Sequence, residues 1–171
     1  MVKLNAGCRK EIEGWAAFMN KKVAWAVVVF WMFIIFCLSH QPANVSNVLS
    51  TDVAKVVAQN FGFVSASDDF NLISFNSLIR KFAHFMLYFV LGIVLVSTLR
   101  KLGVTGIKGM ILSILVCVLY AITDEWHQLF VDGRGAQWSD VAIDSAGAII
   151  GIAGMVGIDW IVRSVRLASV K

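Results

Sequence analysis

Two histidines, four acids and two basic residues fall at helical spacing within segments that are otherwise apolar. Arg80, His84 and Tyr88 are four apart, with Lys81 beside the first. Tyr120, Asp124 and Gln128 repeat the step, with Glu125 and His127 interleaved. Asp140 and Asp144 repeat it again and lead into Gly147 and Gly151. On a helix, residues four apart share a face. An ionisable side chain near the centre of a membrane helix costs about 2.5–3.5 kcal/mol on insertion scales. Three aligned stripes therefore predict a polar site where three helices meet.

Such a set supports two kinds of chemistry. Arg80, Lys81 and Arg134 suit phosphate, the arginines by bidentate contacts and the lysine as a point charge. The second kind is general acid/base catalysis on a lipid-linked phosphate or ester. There His84 or His127 serves as acid or base, a carboxylate orients it, and Arg80 stabilises developing negative charge. A metal is conceivable, because His84, His127 and the aspartates are suitable ligands, but no spacing of the HExxH type marks one, so neither a metal nor a cofactor is expected. Ser139 and Ser145 lie nearby, but neither sits in a recognisable nucleophile elbow. A third reading is a proton relay or transporter. It needs polar groups along the whole span, and Thr98 and Asp159 are the few candidates at the other end.

Simpler readings stand beside these. Arg80 and Lys81 can snorkel to headgroups from a helix end. Asp124 to Gln128 can be a solvated helix terminus with Trp126 in an aromatic belt. Asp140 can be an ordinary N-cap. Asp144 lies one turn deeper and needs a partner, for which Arg80, Arg134 and a histidine are candidates. Gly147 and Gly151 have GxxxG spacing, and with Gly154 they read as a packing face.

The elements that must carry these residues follow from composition. The chain has 171 residues, of which 58% are hydrophobic and only 15% charged. That excludes an ordinary soluble domain. The net charge of +4 does not point to nucleic acid, because the basic residues sit at segment ends and form no single patch. Cys8, Cys37 and Cys117 form neither a disulfide framework nor a metal motif. Apolar runs at Val23–Leu38, Phe82–Leu99, Ile107–Thr123 and Val141–Val162 predict an all-α integral membrane protein with four transmembrane helices. Val23–Leu38 is expected to be retained as the first span rather than cleaved. The expected organisation is an N-terminal segment at 1–22, a four-helix membrane domain at 23–162 and a tail at 163–171.

Eleven of the 15 Lys and Arg residues fall in the N-terminal segment, the turn after the second span and the C-terminal tail. Lys55, Arg80, Lys81 and Arg134 fall on the other side. The positive-inside rule then predicts both termini cytoplasmic and the polar cluster at the outer face. In the long loop Ser39–Ile79, the residues Val48, Leu49, Val53, Val56, Val57 and Phe61 share one helical face, with Ser50, Thr51 or Asp52 available as a cap. This predicts a short amphipathic helix on the membrane, roofing a shallow pocket. Ser65, Ser67, Asp68 and Asp69 read as the start of a helix running through Leu99, longer than a bilayer is thick. Val131-Asp132-Gly133-Arg134-Gly135 reads as a tight turn.

In order, the chain shows Arg80-Lys81-Phe82-Ala83-His84-Phe85, Tyr88, Tyr120, Asp124-Glu125-Trp126-His127-Gln128, Arg134, Asp140, Asp144 and Gly147. This ordered set resembles the VanZ-like family of small bacterial membrane proteins, and Ser39-His40-Gln41-Pro42 after the first span fits its pattern too. The resemblance implies a link to glycopeptide resistance, teicoplanin in particular, without a settled mechanism. It places the protein in a bacterial cytoplasmic membrane. The partners expected are membrane lipid, a lipid-linked cell-wall precursor or the antibiotic, and not nucleic acid.

Overall fold

The structure, a computed structural model, describes residues 6–43, 46–48, 51–53, 56 and 69–168. Four long helices dominate: α1 Ala6–Ser39, α3 Asp69–Lys101, α4 Gly106–Gln128 and α5 Trp138–Ala168. Between α1 and α3, residues 46–48 and 51–53 are helical and form the short helix α2. Apolar stretches able to cross a membrane run Lys21–Ser39, Asn76–Lys101, Gly106–Gln128 and Trp138–Ile161. Three contain their predicted run whole and the fourth all but its last residue, and each extends past at least one end, because flanking polar residues continue the same helix. The one overshoot is Val162, one residue beyond the last stretch. The 33 residues of α3 reach about 50 Å at 1.5 Å per residue, so its first turns stand outside the apolar layer, as the sequence predicts.

The outward faces are those of a protein surrounded by lipid. Phe30 is 64% exposed, Ile107 65% and Trp160 71%, an arrangement that water would penalise and acyl chains accept. The core is narrow and sits along the seam between helices. It is built from Val28, Ile35, Tyr88, Leu91, Leu95, Cys117, Ala121 and Ala148.

The most extensive packing is between α3 and α5, and glycines make it close. A Cβ at Gly147 would collide with the Phe85 carbonyl oxygen, and one at Gly151 with that of Phe89. Both partners advance by four residues together, so the two helices run parallel in fixed register. Gly154 meets nothing within 4 Å, so the small-residue face ends at Gly151. Parallel α3 and α5, with α1 and α4 running the other way, bring the starts of two helices beside the ends of two others. The three polar stripes meet at that end.

Two loops close it. The α4–α5 connection turns at Gly133, where φ of +74° favours glycine, and the Arg134 amide donates to the Val131 carbonyl at 3.0 Å. The Ala43 amide donates to the Asp132 carbonyl at 3.1 Å, tying the segment after α1 to that turn. Only part of α2, the expected roof, lies among the described residues. Val48, Val53 and Val56 keep exposed side chains, while Leu49, Ser50, Val57 and Phe61 lie outside the described residues, as do Ser65, Ser67 and Asp68. Val53 and Ser46 wall an apolar groove beside the polar site, which Arg80, His84 and Arg134 also line.

Candidate functional site

The site has a charged mouth and a buried floor. At the mouth, a cavity of about 90 Å³ is lined by Arg80, Lys81, Gln128, Arg134 and Asp140, with His84 and Asp144 beneath. Lys81 Nζ pairs with Asp140 Oδ1 at 3.0 Å and lies 3.4 Å from Ser139 Oγ. Asp140 is thus in the first turn of α5, past its cap, and answers a lysine of α3. Arg134 is half-buried, with a buried Nε that finds no hydrogen-bond partner among the described residues. Burial, and then the neighbouring Arg80 cation, hold its guanidinium below the usual value.

The floor is drier. Asp144 is 0% exposed, and neither carboxylate oxygen has a hydrogen-bond partner among the described residues. Its neighbouring basic group is the His84 imidazole, with Nδ1 3.7 Å from Oδ2, beyond hydrogen-bond range. Histidine is therefore the neighbour, of the three candidates weighed from sequence. Asp124 is 3% exposed; its Oδ2 accepts a 2.8 Å bond from Ser39 Oγ and its Oδ1 is left open. Glu125 is also buried: Oε2 accepts the Gln137 amide at 2.9 Å and holds the loop before α5, while Oε1 has no partner. Buried polar atoms are nearly always paired, so this concentration of open oxygens sets the region apart. A shallow pocket was expected from sequence. Beneath the mouth the site continues into buried carboxylates that still border the cavity, where Gly147 lets α5 close directly onto α3 one turn below Asp144.

Not every predicted residue joins it. Tyr120 Oη donates to the Met32 carbonyl at 2.6 Å, so that stripe residue fastens α4 to α1. Tyr88 is fully buried in the core, its ring 6.1 Å from that of Tyr120, and its hydroxyl has no partner among the described residues. His127 turns to the side, with Nε2 3.0 Å from His40 Nδ1 and its ring over Phe36. Gln128 is buried against the mouth. Sequence reasoning did not single out Ser39 or Gln137. Only the position of Ser39 at the end of the first span, within Ser39-His40-Gln41-Pro42, hinted at it.

Two apolar grooves flank the mouth. One, about 220 Å³, is walled by Leu38, Val53, Ile79, Ala83 and Leu87 and shares Arg80, His84 and Arg134 with the polar cavity. The other, about 300 Å³, lies among Ile122, Trp126, Leu129, Trp138 and Val141 and reaches Glu125 and Gln137.

At the opposite end the polar groups are engaged. Thr98 Oγ1 donates to the Ala24 carbonyl at 3.4 Å, Ser113 Oγ to the Gly109 carbonyl at 2.8 Å, and Arg100 pairs with Asp159.

Four apolar helices around one enclosed polar site define a multi-pass membrane protein. The family model described as VanZ/LLP1 matches residues 24–161, nearly the whole described bundle, and the chain belongs to that family. No curated protein and no solved structure matches the chain.

Proposed function

We propose that the pocket binds the phosphate-bearing headgroup of a membrane amphiphile, a lipid or lipid-linked cell-wall precursor, at the outer face of a bacterial membrane. The observation that carries this reading is the meeting of Arg80 and Arg134 in one cavity. Two guanidiniums repel one another, and the half-buried Arg134 has an open Nε. An anion between them offsets both costs, and phosphate fits the guanidinium fork. The flanking apolar grooves supply surface for hydrocarbon chains next to that anion site. Basic residues concentrated at the other end orient both termini toward the cytoplasm. Altered glycopeptide susceptibility, including to teicoplanin, then follows from sequestering or presenting a cell-envelope lipid.

The test is direct binding of phosphatidic acid to the full chain in detergent, with phosphatidylcholine as control. Arg80→Gln and Arg134→Gln should each weaken phosphatidic acid binding at least tenfold at low salt, with smaller effects on phosphatidylcholine. Equal affinity for both lipids, unchanged by either substitution, would overturn the proposal.

A second reading, acid/base catalysis on the bound headgroup, is favoured by His84 beside an Asp144 whose oxygens are uncommitted. It requires a product. Identical envelope-lipid and precursor profiles with and without the protein would exclude it. Transport has less support, since Thr98 and Asp159, its candidates at the other end, are already partnered.

A further inference from the structure

We infer that His84, Asp124 and Asp144 form a binding site for one divalent transition-metal ion, of the zinc or manganese class, in the floor beneath the headgroup pocket. The inference goes beyond the headgroup reading and stands on different atoms.

Each residue offers a donor, and the three donor atoms lie within 4.8 Å of one another. An ion with bonds of about 2.0–2.2 Å sets its ligand atoms about 3–4 Å apart, so small side-chain rotations close the set. The donors are also free to bind. His84 Nδ1, Asp124 Oδ1 and both oxygens of Asp144 are buried without hydrogen-bond partners among the described residues. Asp144 is completely buried and still uncommitted, so this is more than a collection of acids. One imidazole with two carboxylates suits borderline first-row divalent ions better than calcium, which takes six to eight oxygens.

Charge leads to the same conclusion. Two carboxylates enclosed by helices cost several kcal/mol per ion unless compensated. Among the described residues the basic group beside Asp144 is the His84 imidazole at 3.7 Å, charged only when protonated, whereas Lys81 is paired with Asp140. A divalent ion cancels both charges at once. The surroundings match what metal carboxylates require: Ser39 Oγ fixes Asp124 through Oδ2 and leaves Oδ1 without a partner among the described residues. His84 and Asp144 also line the cavity above, which gives the ion an entry path and an open coordination position facing a bound phosphate.

The test uses full-length protein in detergent, stripped with chelator and offered Zn²⁺ or Mn²⁺ alone, with no lipid present. Its failure therefore leaves headgroup binding untouched. The exposed His40–His127 pair is a place for adventitious zinc, so the measurement is made in a His40→Gln, His127→Gln background. Elemental analysis should find one ion per chain, and the melting temperature should rise with ion concentration. Asp144→Asn and His84→Gln should each abolish retention of the ion. Ser39→Ala should weaken it about tenfold to a hundredfold, the usual effect of removing a residue that orients a ligand. If a variant does not accumulate, the parent protein still decides. No retained ion and no thermal shift overturn the inference, as does one ion per chain that survives Asp144→Asn.

Discussion

The two ends of the helix bundle treat polar groups in opposite ways. Away from the pocket, each polar side chain described above has a use in holding the protein together. Thr98 reaches across to the α1 backbone, Ser113 returns to its own helix, and Arg100 and Asp159 join α3 to α5. At the pocket end, Asp124, Glu125, Asp144, His84 and Arg134 each keep at least one buried atom unpartnered. Satisfied groups add to stability, and unsatisfied ones subtract from it. A chain that spends helix packing on open carboxylates is using them for something other than the fold, and departures from local consistency gather at functional sites. This contrast distinguishes site from scaffold more sharply than residue type does, since both ends contain Arg and Asp.

The largest effect expected tests what holds both ends in register. Gly151→Leu places a branched side chain where even a Cβ collides with the Phe89 carbonyl. Overpacking of this kind costs about 1–3 kcal/mol or more in soluble cores, and here the α3 backbone blocks relief. Membrane levels of folded protein should fall severalfold or vanish, as read by fluorescence-detected gel filtration. Gly154→Leu meets open space and should be tolerated. Equal loss in both would show that general helix disruption, and not the α3–α5 contact, is being measured.

A smaller effect is expected from the scaffold end. Asp159→Asn leaves Arg100 without its ion-pair partner. Both side chains are partly exposed, at 22% and 35%, so solvent screening limits the loss to about 1 kcal/mol or less. A lowered melting temperature with unchanged phosphatidic acid binding would fit a purely structural pair. Lost lipid binding would break the division between the two ends.

How far the sequence revealed this arrangement depends on the range of the interactions. The four helices and the three stripes were legible because each is local: an apolar run announces a span, and residues four apart share a face. Lys81 and Asp140 could be placed at the site, but not paired. His84, Asp124 and Asp144 can be picked out from sequence as the deep residues where three stripes meet, but the approach of their donors to within 4.8 Å cannot, because they come from three helices and no spacing rule connects them. Tyr120 belongs to the same stripe as Asp124, yet it serves α1. A shared face fixes direction only to within a wide sector, and within it the Tyr120 hydroxyl bonds the Met32 carbonyl. His127, three residues past Asp124, falls far enough around the helix to meet His40 instead. Ser39 was invisible as a ligand-orienting residue because a serine at a helix end is ordinary until its partner is known.

The smallest change expected carries the most information, because its sign is unusual. In most proteins, removing a fully buried charge that interacts with its surroundings is strongly destabilising, by about 3–5 kcal/mol when it breaks a buried pair. Asp144 has no hydrogen bond to lose among the described residues, and His84 at 3.7 Å offers only weak attraction. Asp144→Asn keeps the shape and removes a buried carboxyl group that has no hydrogen-bond partner among the described residues. In chelator, where no ion can compensate the carboxylate, the variant should therefore melt within a few degrees of the parent protein, and on the high side of it. With Zn²⁺ or Mn²⁺ added, the order should reverse, because only the parent gains stability from the ion. If Asp144→Asn lowers stability in chelator as much as Asp159→Asn does, then Asp144 supports the fold in the way the opposite end does, and the distinction between scaffold and site fails at its most buried residue.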